Sequence, residues 1–458
     1  MNEQSRHQGA ADSPPSARSE PPAGMWLGLL ASSFLILATA SDTAGGGTSL
    51  IQASGGPGLW TRAANLTTGR EEHTATLLQS GRVLIAGGTD GRGKVLASAE
   101  LYDPVRNRWT SAGSMGATRI DHTATLLPSG KVLVAGGLVL PFPAPSLASA
   151  ELYDPATNAW TIAAPMIESR TRHTATLLPD GRVLVVGGLT VTFRDGGLFP
   201  SQPTGAEIYD PKTDHWSATA PMGASRLGQT ATLLPDGRVL IAGGQDSGVA
   251  IFNSTEIYEA AQDRWISAAP MAVARSGQVA TLMANGDVFV AGGLGVEPNA
   301  LNISLNSAEI YDPVTNLWVT VAGMAGFHAA DTVTSLRNGM LLLVGDTGQS
   351  RPELYDLGHN RWSRTGPSMD RYQHTATRLS DGKVLIAGGY GIESLNSALI
   401  YDPEGVAPAP IRPLDPRIIA ALLLIALLLL AGAVWSIPPV RQRVKSWRPR
   451  GESEEWIT

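Results

Sequence analysis

Six arginines stand seventeen residues before the first glycine of a Gly-Gly pair: Arg70, Arg119, Arg170, Arg226, Arg275 and Arg371. Three residues after each comes an imidazole or an amide: His73, His122, His173, Gln229, Gln278 and His374. Guanidinium groups offer paired donors to carboxylates, so a ring of them suits an anion-binding mouth. A residue repeated in every unit equally suits a local hydrogen bond inside that unit. Neutral imidazole is a common metal ligand. Histidines on separate units of a ring diverge, however, whereas metal ligands converge to about 2.0–2.2 Å. We therefore expect no metal and no cofactor. No Ser-His-Asp spacing, phosphate loop or paired-carboxylate motif stands out, although a site converging from distant loops leaves no such mark. The candidate binding set is the six arginines with His73, His122, His173 and His374, and it has no catalytic member.

These residues sit in a chain of 458 residues with 16% charged residues and a net charge of −6. The chain is too apolar for disorder, and its negative balance argues against a general nucleic-acid surface. Cysteine is absent, which excludes a disulfide framework, a Cys-ligated zinc or iron–sulfur centre and a thiol nucleophile.

The arginines belong to a repeat. Glycine pairs fall at 87–88, 136–137, 187–188, 243–244, 292–293 and 388–389, with Gly345-Asp346 in a seventh, degenerate unit. In that unit His328 and Asp331 hold the Arg and His places. Tyr102, Tyr153, Tyr209, Tyr258, Tyr311 and Tyr355 are each followed seven residues later by a tryptophan, and Tyr401 has none. Length varies in one connection only, between the glycines and the next tyrosine.

Each unit reads as four short strands: in the first, 73–78, 82–88, 99–104 and 108–113. Val, Leu, Ile, Thr, Tyr and Trp dominate them, and Pro-Asp-Gly or Asp-Pro turns separate them. The second strand is continuously apolar, which suits a strand covered on both faces. The glycine pair suits a strand end where φ is positive or no side chain fits.

An Arg-x-x-His/Gln strand, a Gly-Gly pair, then Tyr, then Trp resembles the kelch repeat, over residues 59–403. The resemblance implies an all-β fold: a seven-bladed propeller of four-stranded blades around a channel. Some kelch propellers use arginine at this position to hold acidic peptides. The strand around Trp60 comes before any complete unit, and the last unit stops after its third strand. The amino-terminal strand is therefore expected to close the ring. Strand polarity places the variable connections, the 189–205 segment with Phe193, Arg194 and Phe199, and the arginine ring on one face.

Two apolar runs bracket the repeats. Met25–Ala40 ends in Ala38-Thr39-Ala40 and reads as a signal peptide, with an uncleaved anchor as the rival. Ile418–Ile437 is uncharged over 20 residues, enough to cross a bilayer as one helix. Arg441, Arg443, Lys445, Arg448 and Arg450 follow and place the tail in the cytoplasm. The expected plan is 1–40 polar region and signal peptide, 41–58 linker, 59–403 propeller, 404–417 Pro-rich stalk, 418–437 transmembrane helix and 438–458 basic cytoplasmic tail.

The resulting expectation is a single-pass cell-membrane protein with its propeller outside. It would act as a non-catalytic recognition or scaffolding module, with an extracytoplasmic protein or anionic glycan as partner and no nucleic acid. The alternative is a carbohydrate-acting enzyme such as a sugar epimerase, or an oxidase-like kelch enzyme. Galactose-oxidase-like copper enzymes carry a Tyr–Cys cross-link, which a chain without cysteine cannot form. Carboxylates with a nearby Tyr or His at the mouth would favour glycan chemistry; an arginine-rimmed funnel would favour binding.

Overall fold

The structure, a computed structural model, describes residues 57–405 apart from 140–144, 195–196, 248–249, 298–299, 327–331 and 346–350. The chain divides into two compact units, Met1–Ala407 and Pro408–Thr458, and all described residues belong to the first. The expected signal peptide, transmembrane helix and basic tail lie outside the described residues, as do most of the linker and stalk. So do His328, Asp331 and Asp346. Among the described residues no helix is long and apolar enough to cross a membrane.

Among the described residues the strands form seven four-stranded antiparallel sheets and two two-stranded hairpins. In blade one, Thr74–Leu77, Val83–Ala86, Ser98–Asp103 and Arg108–Ser114 pair in that order. The first strands of neighbouring blades touch all the way round, so Thr74–Leu77 and its equivalents are innermost. All four residues of Val83–Ala86 are buried, as they are in the second strand of every blade. That accounts for their unbroken apolar run: each blade is covered on both faces by its neighbours.

The outer half of each blade is stapled to the blade before it. Tyr102 and Trp109 face each other across strands three and four with ring centroids 4.9 Å apart. Asn107 takes a left-handed conformation (φ 45°) that turns its amide inward. Its Oδ1 accepts the Tyr102 hydroxyl at 2.9 Å and the Ala64 N–H at 2.7 Å, and Trp109 Nε1 donates to Ala64 O at 2.8 Å. Asn or Asp tolerates positive φ better than most residues, which explains its place in the turn.

Both glycines of the pair need their residue type. Gly87 (φ 66°) would carry a Cβ 2.6 Å from His122 Cε1, and Gly88 (φ 93°) one 2.4 Å from Glu71 O. Gly87 marks where the next blade's loop presses onto the end of the second strand, and Gly88 where the blade's own entering loop does.

The ring closes as the repeat count requires. Leu59–Arg62 pairs antiparallel with Ala398–Asp402, Trp60 opposite Tyr401, and completes blade seven. Trp60 is buried, and its Nε1 donates to Thr365 Oγ1 of blade six at 3.2 Å.

Strand register separates two faces. Tyr401 pairs with Val384 and Tyr209 with Val183, at the start of each second strand. That end carries the short turns, uniform in every blade, together with both chain ends at Leu59 and Asp402. The opposite loop face carries the variable connections. Two of them rise as hairpins, Thr190–Arg194 with Gly197–Ser201 in blade three and Leu294–Glu297 with Ala300–Ser304 in blade five.

Candidate functional site

The six arginines lie at the base of the loop face, but their guanidinium groups point into the blades. Arg119 Nη1 donates to Gly136 O and Ser149 O at 2.8 Å. Its Nη2 donates to Ser149 Oγ and Glu151 Oε1 at 2.9 Å. Arg70, Arg170, Arg226 and Arg275 pair in the same way with Glu100, Glu207, Glu256 and Glu309. All five are at most 1% exposed. Each glutamate also binds the loop entering its blade: Glu151 accepts Gly116 N–H at 2.6 Å and Ala117 N–H at 3.2 Å. The unit is a buried ion pair that clamps a loop to a strand.

This placement corrects the expected arginine-rimmed mouth. Five guanidiniums are neutralised and hydrogen-bonded internally, so the structural alternative raised from the sequence is the one these distances fit. Arg371 is the variant case. Leu399 faces Ile386 where the other blades carry glutamate, so Arg371 has no carboxylate among the described residues. It binds Gly388 O, Ser397 O and Ser397 Oγ, and burial pushes its pKa down to about 10. The glutamates were legible: each stands two residues before a repeated tyrosine, in six of seven units.

The histidines form a girdle between first strands. His73 Nε2 meets Thr375 Oγ1 at 3.1 Å, His122 meets Thr74 at 3.1 Å, His173 meets Thr123 at 2.9 Å and His374 meets Thr332 at 3.0 Å. Every contact crosses to the preceding blade. Gln229 and Gln278 bridge in the same place by donating to Val186 O and Ala242 O at 3.0 and 2.7 Å. Burial and the neighbouring arginines push His122, His173 and His374 down to about 3, and His73 also falls well below the usual range. These rings are neutral inter-blade spacers. Among the described residues no three His, Asp or Glu side chains gather as a metal-ligand set.

The solvent-facing mouth is made by a position the sequence reading passed over, two residues after each arginine. Glu72, Asp121, Arg172 and Gln373 occupy it with φ between 52° and 55°, and Gly228 and Gly277 fill it in blades four and five. Main-chain bonds join these loops between blades: Glu72 N–H to Gln373 O, Arg172 N–H to Asp121 O and Gly277 N–H to Gly228 O. Non-glycine residues held at positive φ store strain, and such strain concentrates at functional sites.

The side chains here are charged. Arg172 Nε donates to Asp121 Oδ2 and Gln373 Nε2 to Glu72 Oε1, at 2.8 and 2.7 Å. Ser394 Oγ donates to Glu71 Oε1 at 3.0 Å. Burial pushes the Glu71 carboxyl up to about 7, and burial with the Asp121 charge pushes Glu72 up to about 8. Beside them Tyr372 and Tyr390 pack with ring centroids 5.1 Å apart, both half-buried. Carboxylates, Arg172 and tyrosines lie here in place of the six repeat arginines.

Comparison with known proteins agrees with the fold. The kelch motif model matches residues 74–116, 123–167 and 276–325, in blades one, two and five. Kelch-like protein 25 of Xenopus tropicalis is 28% identical over 114 residues, 24% of this chain and 19% of its own length. Kelch-like protein 7 of Rattus norvegicus is 38% identical over 76 residues, 17% of this chain and 11% of its own. The chain thus spans less than a fifth of these relatives. A fungal alcohol oxidase solved with copper superposes with a TM-score of 0.59 at 17% identity, over 77% of this chain and 79% of that one. At that identity the likeness concerns fold alone. With kelch motifs in three blades and the same Arg, Gly-Gly, Tyr and Trp frame in the others, the chain is a kelch-repeat β-propeller.

Proposed function

We propose that this propeller is a membrane-anchored, extracytoplasmic recognition module whose loop face binds a protein partner. The observation that carries this is the division of the faces. Turn lengths on one face are uniform in every blade, and variation is confined to the loop face. There Phe193 and Phe199 stand 44% and 46% exposed on the blade-three hairpin, and Ile392 is 83% exposed in blade seven. Exposed apolar side chains on protruding loops over a rigid scaffold are what partner binding requires. A kelch propeller suits such a role.

The anchor rests on Ile418–Ile437 and the basic residues behind it. Both ends of the ring, at Leu59 and Asp402, lie on the turn face. An anionic glycan has lost the arginines that argued for it. A carbohydrate-acting enzyme would draw on the mouth carboxylates and Tyr372. Asp121, however, is already held by Arg172.

The test compares faces. Full-length chain carrying Phe193→Ala with Phe199→Ala should retain less partner from an envelope extract than wild type. Val105→Ala with Val314→Ala, both exposed on the turn face, should retain as much. Equal loss from both pairs, or loss from the turn-face pair alone, would refute the assignment.

A further inference from the structure

Among the described residues no cation pairs with Glu71 or Glu72: the first meets a serine hydroxyl and the second a glutamine amide. Arg172 is committed to Asp121. Arg70 and Arg371, next in the chain, are turned into the blades. Among the described residues, Glu71, Glu72 and Asp121 thus meet one guanidinium, that of Arg172, which pairs with Asp121. Tyr372 adjoins Gln373, whose amide holds Glu72; Tyr390 pairs through its main chain with Ser394, whose hydroxyl holds Glu71, and the two tyrosine rings pack together. Two aromatic rings near two carboxyls that make no direct ion pair among the described residues suit a positively charged organic group, although the Arg172 charge already acts on Glu72. The group reaches these carboxyls from blades seven and one together, since Tyr372, Gln373, Tyr390 and Ser394 belong to blade seven.

We infer that the axial mouth receives one basic side chain, an arginine or lysine of the partner protein, which lies against Tyr372 and Tyr390 and neutralises Glu71 and Glu72. This rests on the loop-face reading and names its chemistry. Guanidinium fits better than ammonium, because it is planar, stacks on aromatic rings and donates to two carboxyls at once.

Capture is coupled to protons. Near neutral pH the two carboxyls retain protons because burial raises them, and Asp121 and Glu71 add to the effect at Glu72 while Arg172 opposes it. A basic side chain displaces those protons, so affinity tightens as pH rises, by on the order of tenfold between pH 6 and pH 8.

The probe is a capped Gly-Gly-Arg-Gly-Gly peptide, with its citrulline counterpart as the neutral isostere and a Gly-Gly-Asp-Gly-Gly peptide as the opposite charge. Titration calorimetry of the full-length chain in buffers of different ionisation enthalpy reads affinity and proton release together. The arginine peptide should bind with proton release, and the other two should not bind. Glu72→Gln should remove most of the binding and of the proton release, with a melting temperature at pH 8 no lower than wild type. Tyr372→Ala should weaken binding roughly 2- to 30-fold. Equal binding of arginine and citrulline peptides, binding of the aspartate peptide, or an unchanged affinity in Glu72→Gln overturns the inference. No binding of the arginine peptide at several millimolar also overturns it. Loop-face recognition is judged separately, by the Phe193 and Phe199 variant.

Discussion

Replacing Arg119 by alanine separates a structural arginine from a ligand-binding one. The side chain makes four hydrogen bonds inside blade two, and neither it nor Glu151 is more than 6% exposed. Alanine leaves the buried Glu151 carboxylate without its counter-charge and removes the side-chain donor to Gly136 O. Breaking one partner of a buried pair costs about 3–5 kcal/mol. At about 2.1 cal/mol/K per residue, the roughly 350 residues of the propeller have an unfolding entropy near 0.7 kcal/mol/K. The melting temperature should therefore fall by about 4–7 °C. Thermal melts of the full-length chain, followed by near-ultraviolet circular dichroism, read the change. Arg119→Ala with Glu151→Leu should recover part of the loss, since it reproduces the apolar residue that blade seven uses at Leu399. An Arg119→Ala protein that melts with wild type and loses partner binding would refute the clamp and restore the anion-binding mouth.

Other consequences follow from the same contacts. Trp60→Ala removes a fully buried ring and the closure bond to Thr365, costing about 3–5 kcal/mol; an unchanged melt would remove the amino-terminal strand from the closure. The buried histidines ionise far below their unfolded value, so their stabilisation is complete above about pH 6.5 and is lost as pH falls toward 3. Glutamine at His122, His173 and His374, as blades four and five already have at Gln229 and Gln278, should flatten the acid side of the stability–pH curve; an unaltered curve would contradict their neutrality. Gly87→Ala meets both positive φ and a clash at 2.6 Å, whereas Gly93→Ala meets positive φ with nothing within 4 Å. The first should cost about 2 kcal/mol or more and the second about 1, and equal melts would deny the close approach of the blades.

Much of the fold was legible because a repeat multiplies weak signals. Tyr and Trp seven residues apart face each other across strands three and four in six blades, and the missing Trp after Tyr401 told which strand closes the ring. The site was less legible. Arginine was read by its ligand chemistry, and its partner was overlooked because Glu100 and its equivalents are some thirty residues away in sequence. Residues such as Glu72 and Asp121 differ from blade to blade, so no periodicity marks them. Their meaning arises only when the ring brings positions 72, 121, 172 and 373 side by side. Variation at a fixed repeat position, against an invariant frame, was the signal that pointed there.

The central claim is that the loop face, and not the turn face, meets a protein partner. Site-specific photo-crosslinking in intact cells tests it directly, with the photoreactive residue placed at Ile392 on the loop face or at Val314 on the turn face, 83% and 92% exposed. The account expects a discrete protein adduct from Ile392 and none from Val314. An adduct from Val314 alone, or none from either position, would contradict it.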